Sequence, residues 1–203
     1  VDQLMKKFLE SDFPEEAEDI VTLGLNHEQQ HQELLLTDLK YTLSLNPIHP
    51  VYKDGFDLTA TKKKKGGFAK MEEGVYEIGF QGDGFCFDNE LPRHQVFVEP
   101  FELAGRLVTN GEFAAFIADG GYRRPELWLA DGWDAVQTQG WTTPHYWLRQ
   151  DGEPLEYTLH GLQPRLDANP VCHVSGYEAD AYARWAKARL PTEHEWELAA
   201  ADA

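Results

Sequence analysis

Apolar and polar positions alternate with two different periods along the chain. Residues 1–10 place Leu4, Phe8 and Leu9 on one side, the pattern of an amphipathic helix end. Ser11-Asp12-Phe13-Pro14 breaks that helix and starts another, with Ser11 or Asp12 as cap and Pro14 in the first turn. Glu15, Glu16, Glu18 and Asp19 complement the positive end of the helix dipole. Helical spacing then continues from about Glu15 to Leu45 and stops at Asn46-Pro47. A helix of about 30 residues is long for a lone globular helix and suits an antiparallel bundle whose core takes ligands from several helices. The other helices of such a bundle are expected upstream.

Beyond this helix the texture changes. From Ile48 to Gly67 the chain reads as a linker or exposed loop, with Pro50, Gly55, Thr59-Ala60-Thr61, the run Lys62 to Lys65 and Gly66-Gly67. After Met71, Gly74 to Gly79 and Gln95 to Val98 read as short strands, separated by Gly82, Gly84 and Asp88-Asn89. Three capping boxes announce helices: Thr109 with Glu112, Ser175 with Glu178, and Thr192 with Glu195. Between the first two boxes lie about 55 residues with no convincing helix, holding Trp128, Trp133, Trp141 and Trp147; such a stretch is irregular and functional, or wrapped on a small sheet.

Charge narrows the choice of partner. Thirty-five acidic against eighteen basic residues give a formal charge of −17, which repels phosphate backbones and anionic lipid surfaces. Nucleic acid and membrane partners are therefore not expected, and the short lysine run, without interleaved aromatics, reads as a solvated loop. Cys86 and Cys172 form neither a disulfide framework nor a CxxC zinc site, which fits a reducing, cytoplasmic compartment. There is no apolar run of membrane-spanning length and no signal-peptide pattern at Val1-Asp2-Gln3-Leu4. The missing initiator Met and the alanine-rich end at Leu198 to Ala201 lead us to expect a fragment open at both ends. Small-molecule partners and a monomer are expected.

The chemistry concentrates in His27-Glu28-Gln29-Gln30-His31. Histidines four apart on a helix differ by about 40° of rotation and one turn of rise, so both imidazoles leave from one face. Ile20, Leu34 and Leu35 share that face, which predicts that the pair lies on the buried stripe. Such imidazoles are hydrogen-bonded core histidines, an accident of a Gln/Glu/His-rich polar turn, or two ligands of one metal, iron or zinc, held at about 2.0–2.2 Å. Gln30 lies about 60° from His27, near enough to line a cavity without binding metal, whereas Glu33 points away.

The helix with His27, Gln30 and His31, ending in Asn46-Pro47-Ile48-His49-Pro50-Val51-Tyr52, resembles the iron-binding helix of the ergothioneine-biosynthesis sulfoxide synthases. Independently, Phe87 to His94, Val108 to Phe113, Gly120-Gly121-Tyr122, Pro170 to Ser175 and Arg189 to Glu197 resemble the formylglycine-generating-enzyme fold. The resemblance implies an α+β chain. Residues 1–52 would be the C-terminal part of a DinB-like four-helix bundle, 53–70 a linker, and 71–203 the N-terminal part of a C-type-lectin-like domain.

It also implies a non-haem iron(II) oxidoreductase that uses O₂ to join a cysteine-containing thiol (γ-glutamylcysteine or cysteine) to trimethylhistidine (hercynine), giving a sulfoxide. His27 and His31 would be two of three iron-ligand histidines and Gln30 a substrate contact. The third ligand would lie on an earlier helix and the family's catalytic tyrosine beyond Ala203, so the chain alone is expected to be inactive. Rival readings are an ovothiol or selenoneine synthase with other substrates, a formylglycine generator, and a non-catalytic lectin-like module. The neighbours Cys172 and His173 read as structural, because adjacent strand residues face opposite ways, and the tryptophans as core and rim.

Overall fold

The computed structural model describes residues 2–11, 14–55 and 66–201. The proposed cap Asp12, the run Lys62 to Lys65 and the side chains of Glu15 and Glu16 lie outside the described residues. Two compact units emerge, one from 1–42 with 79–94 and one from 43–78 with 95–203.

The first unit contains α1 (Asp2–Leu9) and all but the last two residues of α2 (Glu15–Ser44). Ser11 ends α1 by donating its hydroxyl to the Phe8 carbonyl at 2.6 Å, and the Pro14 carbonyl accepts from Ala17 at the head of α2. Asn46 closes α2 as expected: its side-chain oxygen accepts from the Ile48 N–H at 3.2 Å and its carbonyl accepts from His49. Residues 79–94 form a loop around a short 3-10 turn (Asp88–Glu90), held together where Phe80 donates to the Glu90 carbonyl and Arg93 donates to the Gly79 carbonyl at 2.6 Å.

The second unit begins with β1 (Phe68–Met71), β2 (Gly74–Ile78), β3 (His94–Val98) and β4 (Phe101–Ala104). β1 pairs antiparallel with β4, setting Phe68 opposite Ala104, and β2 pairs with β3. Helix α3 (Asn110–Ala118) follows, then α4 (Ala130–Gln139), an antiparallel sheet of β5 (Trp147–Gln150), β6 (Glu153–Thr158) and β7 (Gly161–Pro164), and finally α5 (Gly176–Trp185) and α6 (Glu193–Ala201). The mixed α+β class with short antiparallel sheets agrees with the sequence reading. The core is aromatic: Phe113 and Phe116 on α3 are fully buried, Phe113 stacks on Tyr182 with centroids 5.4 Å apart, and Trp128 donates its indole N–H to the Gly121 carbonyl at 2.9 Å. Trp133, Trp141, Trp147 and Trp185 pack around this cluster, the core-and-rim role expected of the tryptophans.

Helix α4 corrects the expectation of no helix between the first two capping boxes. Its N-cap, Leu129, makes no side-chain cap, and Gly132 stands in its first turn, so it lacks the local start signal of its neighbours. Its stability comes from packing: a Cβ at Gly132 would lie 2.7 Å from Tyr177 Cβ on α5, an approach only glycine allows. Residues 48–55 form neither helix nor strand and 51–55 are exposed, in keeping with the expected linker or loop. These residues are tied to the β6–β7 hairpin, because Tyr157 donates to the Pro50 carbonyl at 2.8 Å and both Tyr52 and Lys53 donate to the Leu159 carbonyl.

All three capping boxes form. Two of them are copies of one device. Arg106 and Arg189 each stand six residues before their glutamate and grip it bidentately, through contacts of 2.7 and 2.5 Å to Glu112 and of 2.7 and 2.5 Å to Glu195. The same carboxylates accept the backbone N–H of Thr109 and Thr192, at 2.9 and 2.8 Å. The arginine hydrogen bonds, ahead of the threonine contacts, hold both carboxyls down at about 2 against an ordinary value of 4.5. A depressed carboxyl stabilises the fold fully above the unfolded value and loses that contribution as pH falls through the folded one. The thermal midpoint is therefore expected to drop between about pH 4.5 and pH 2. Glu195→Gln should make that drop shallower; equal pH slopes for both proteins, followed by circular dichroism, would remove the Arg189–Glu195 pair from the acid response.

Candidate functional site

Helix α2 presents His27 and His31 one turn apart, with ring centroids 4.5 Å apart and planes at 74°. Both nitrogen-donor rings leave the same face, as the four-residue spacing requires. The donor set is chemically apt for two positions on one borderline divalent ion, since neutral imidazole suits iron and zinc alike. Among the described residues no group of three histidine, cysteine or carboxylate side chains is placed to hold a metal ion.

The expected burial of this face does not hold in the structure. His27, Gln30 and His31 are exposed, and Ile20, Leu34 and Leu35 are 70%, 56% and 67% exposed. Helical periodicity identifies which residues share a face; it carries no information on what covers that face, and no described residue does. An ion held by two exposed imidazoles stays open to water, and its binding must compete with hydration. Anaerobic titration of iron(II) into this chain is therefore expected to show dissociation constants above the micromolar range. Submicromolar binding would mean that a complete ligand set is already present.

Two cavities escaped the sequence reading. One, of about 770 Å³ in the first unit, lies between the first turns of α2 (Glu18, Asp19, Thr22, Leu23) and the loop carrying Asp83, Phe85, Cys86, Phe87 and Asp88. Leu23 stands one turn before His27 on the same helical row. The loop returns to α2 from some sixty positions later in the chain, a long-range approach that periodicity does not encode. The other, of about 760 Å³, lies in the second unit between β1, β4, α3 and α5, with Phe101, Phe113, Val171 and Tyr182 in its apolar wall and the Arg106–Glu112 pair on it.

The Cys172-His173 neighbours are not on a strand, contrary to the expectation. His173 takes a left-handed backbone with φ +57° and sets its ring edge-on to Tyr146 at 4.7 Å, while the exposed Cys172 thiol donates to the Pro170 carbonyl at 3.6 Å. The two residues thus sit at a bend, and strand alternation does not separate their side chains. His94 has Nδ1 2.9 Å from the Pro92 carbonyl.

Among the described residues no helix is long and apolar enough to cross a membrane. Comparison with known proteins finds a match to the sulfatase-modifying factor enzyme 1-like domain over residues 56–203. The chain is 36% identical over 182 residues to a hercynine oxygenase of Mycolicibacterium smegmatis, covering 88% of this chain and 41% of that protein. It is 37% identical over 193 residues to the hercynine oxygenase of Mycobacterium tuberculosis, covering 93% and 44%. A formylglycine-generating enzyme of Streptomyces coelicolor is 32% identical over 154 residues, covering 66% and 46%. The chain thus spans about two fifths of the length of the hercynine oxygenases it matches. Its similarity extends across both units, with a family domain over most of the second, and the chain belongs to the sulfatase-modifying factor enzyme 1-like family as a homologue of the hercynine oxygenases.

Proposed function

We propose that the whole protein is an iron(II)- and O₂-dependent sulfoxide synthase that joins a cysteine-containing thiol to C2 of the trimethylhistidine imidazole. The observation that carries this reading is the His27–His31 pair, with rings 4.5 Å apart, in a chain 36–37% identical to hercynine oxygenases. His27 and His31 supply two imidazoles to the iron, and a third comes from elsewhere in the whole protein. On this reading residues 1–52 belong to a DinB-like bundle that covers the apolar face of α2 and 71–203 to the lectin-like domain; the 53–70 stretch expected as linker already enters that domain's sheet at Phe68, where β1 begins. Bound there, iron supplies a site where O₂ and a thiolate meet, because three neutral imidazoles leave coordination positions open. The protein's own part is positioning: it holds the imidazole carbon beside the sulfur in a water-poor core.

Gln30 is the positioning group on this helix. It stands about 60° around from His27, where its amide can donate or accept a hydrogen bond, and an amide is a poor iron ligand beside imidazole. Gln30→Leu keeps the size of the side chain and removes the bond. If the partner is a charged substrate group, the loss is about 1.5–3 kcal/mol, or roughly one to two orders of magnitude in kcat/KM for trimethylhistidine. Iron content and thermal midpoint should stay unchanged. Unaltered kinetics at full iron occupancy would take Gln30 out of the site, and a full-length protein that neither binds iron nor consumes trimethylhistidine would favour a non-catalytic module.

A further inference from the structure

We draw no further inference here: the strongest candidate, the apolar cavity of about 760 Å³ walled by β1, β4, α3 and α5 in the second unit, carries nothing because nothing in the structure shows what covers it.

Discussion

Replacing either His27 or His31 by alanine in the full-length protein is expected to abolish stoichiometric iron and, with it, sulfoxide formation. The two rings occupy successive turns of one helical face, so on the proposed reading they serve one ion and neither takes over the other's position. A three-imidazole shell reduced to two loses a bond and gains a water, and two exposed nitrogen donors do not compete well with hydration for a divalent ion. Each single variant should therefore resemble the double variant, since residues acting as one ligand set lose function together rather than additively. In the present chain folding should be spared by either substitution, because both side chains are exposed and neither packs into a core here. Iron analysis of the purified variants, beside thermal unfolding, makes the distinction. Full iron and full activity in both single variants would overturn the assignment, whereas loss of iron accompanied by collapse of the fold would show the histidines to be structural.

What could be read from the sequence was local. The span of α2 follows from helical spacing bounded by Pro14 and by the Asn46-Pro47 stop, and the observed helix (Glu15–Ser44) ends within a residue of that reading. The capping boxes were equally legible, because Thr109, Ser175 and Thr192 and their glutamates make contacts only three residues apart. Long-range features were not. Helix α4 meets α5 through the close approach of Gly132 and Tyr177, forty-five positions apart, and the anchoring of Pro50 by Tyr157 spans over a hundred. The candidate site divides along the same line. That His27 and His31 share a face is geometry internal to one helix, and the structure reproduces it. Whether that face is covered depends on neighbours that neither spacing nor composition specifies, and the expectation of burial failed there.

The largest stability effect is expected at the junction of α3 with the 3-10 turn Gly121–Arg123. A Cβ added at Gly121 would lie 2.1, 2.4 and 2.5 Å from three ring atoms of Phe116, far inside van der Waals contact. The ring has no room to yield: Phe116 is fully buried and is surrounded by Tyr122, Tyr182 and Trp185, with centroids 5.8, 5.9 and 5.8 Å away. The backbone cannot retreat freely either, because the Gly121 carbonyl accepts the Trp128 indole N–H at 2.9 Å and Trp128 is itself buried. Gly121→Ala should thus reach the upper end of overpacking costs, about 3 kcal/mol, and lower the thermal midpoint by roughly 6–12 °C. Phe116→Ala alone should cost about 3–5 kcal/mol through the cavity it leaves. The three nearest atoms all belong to that ring, so in the Phe116→Ala background the added methyl group loses its closest clashes and Gly121→Ala should cost far less. The two substitutions are then expected to be non-additive by about 2–3 kcal/mol, a coupling within the range seen for residues in direct contact. Denaturant unfolding of the wild type, both single variants and the double variant gives this number directly. Additive losses would mean that the glycine is required for the conformation of the turn and not for its contact with Phe116.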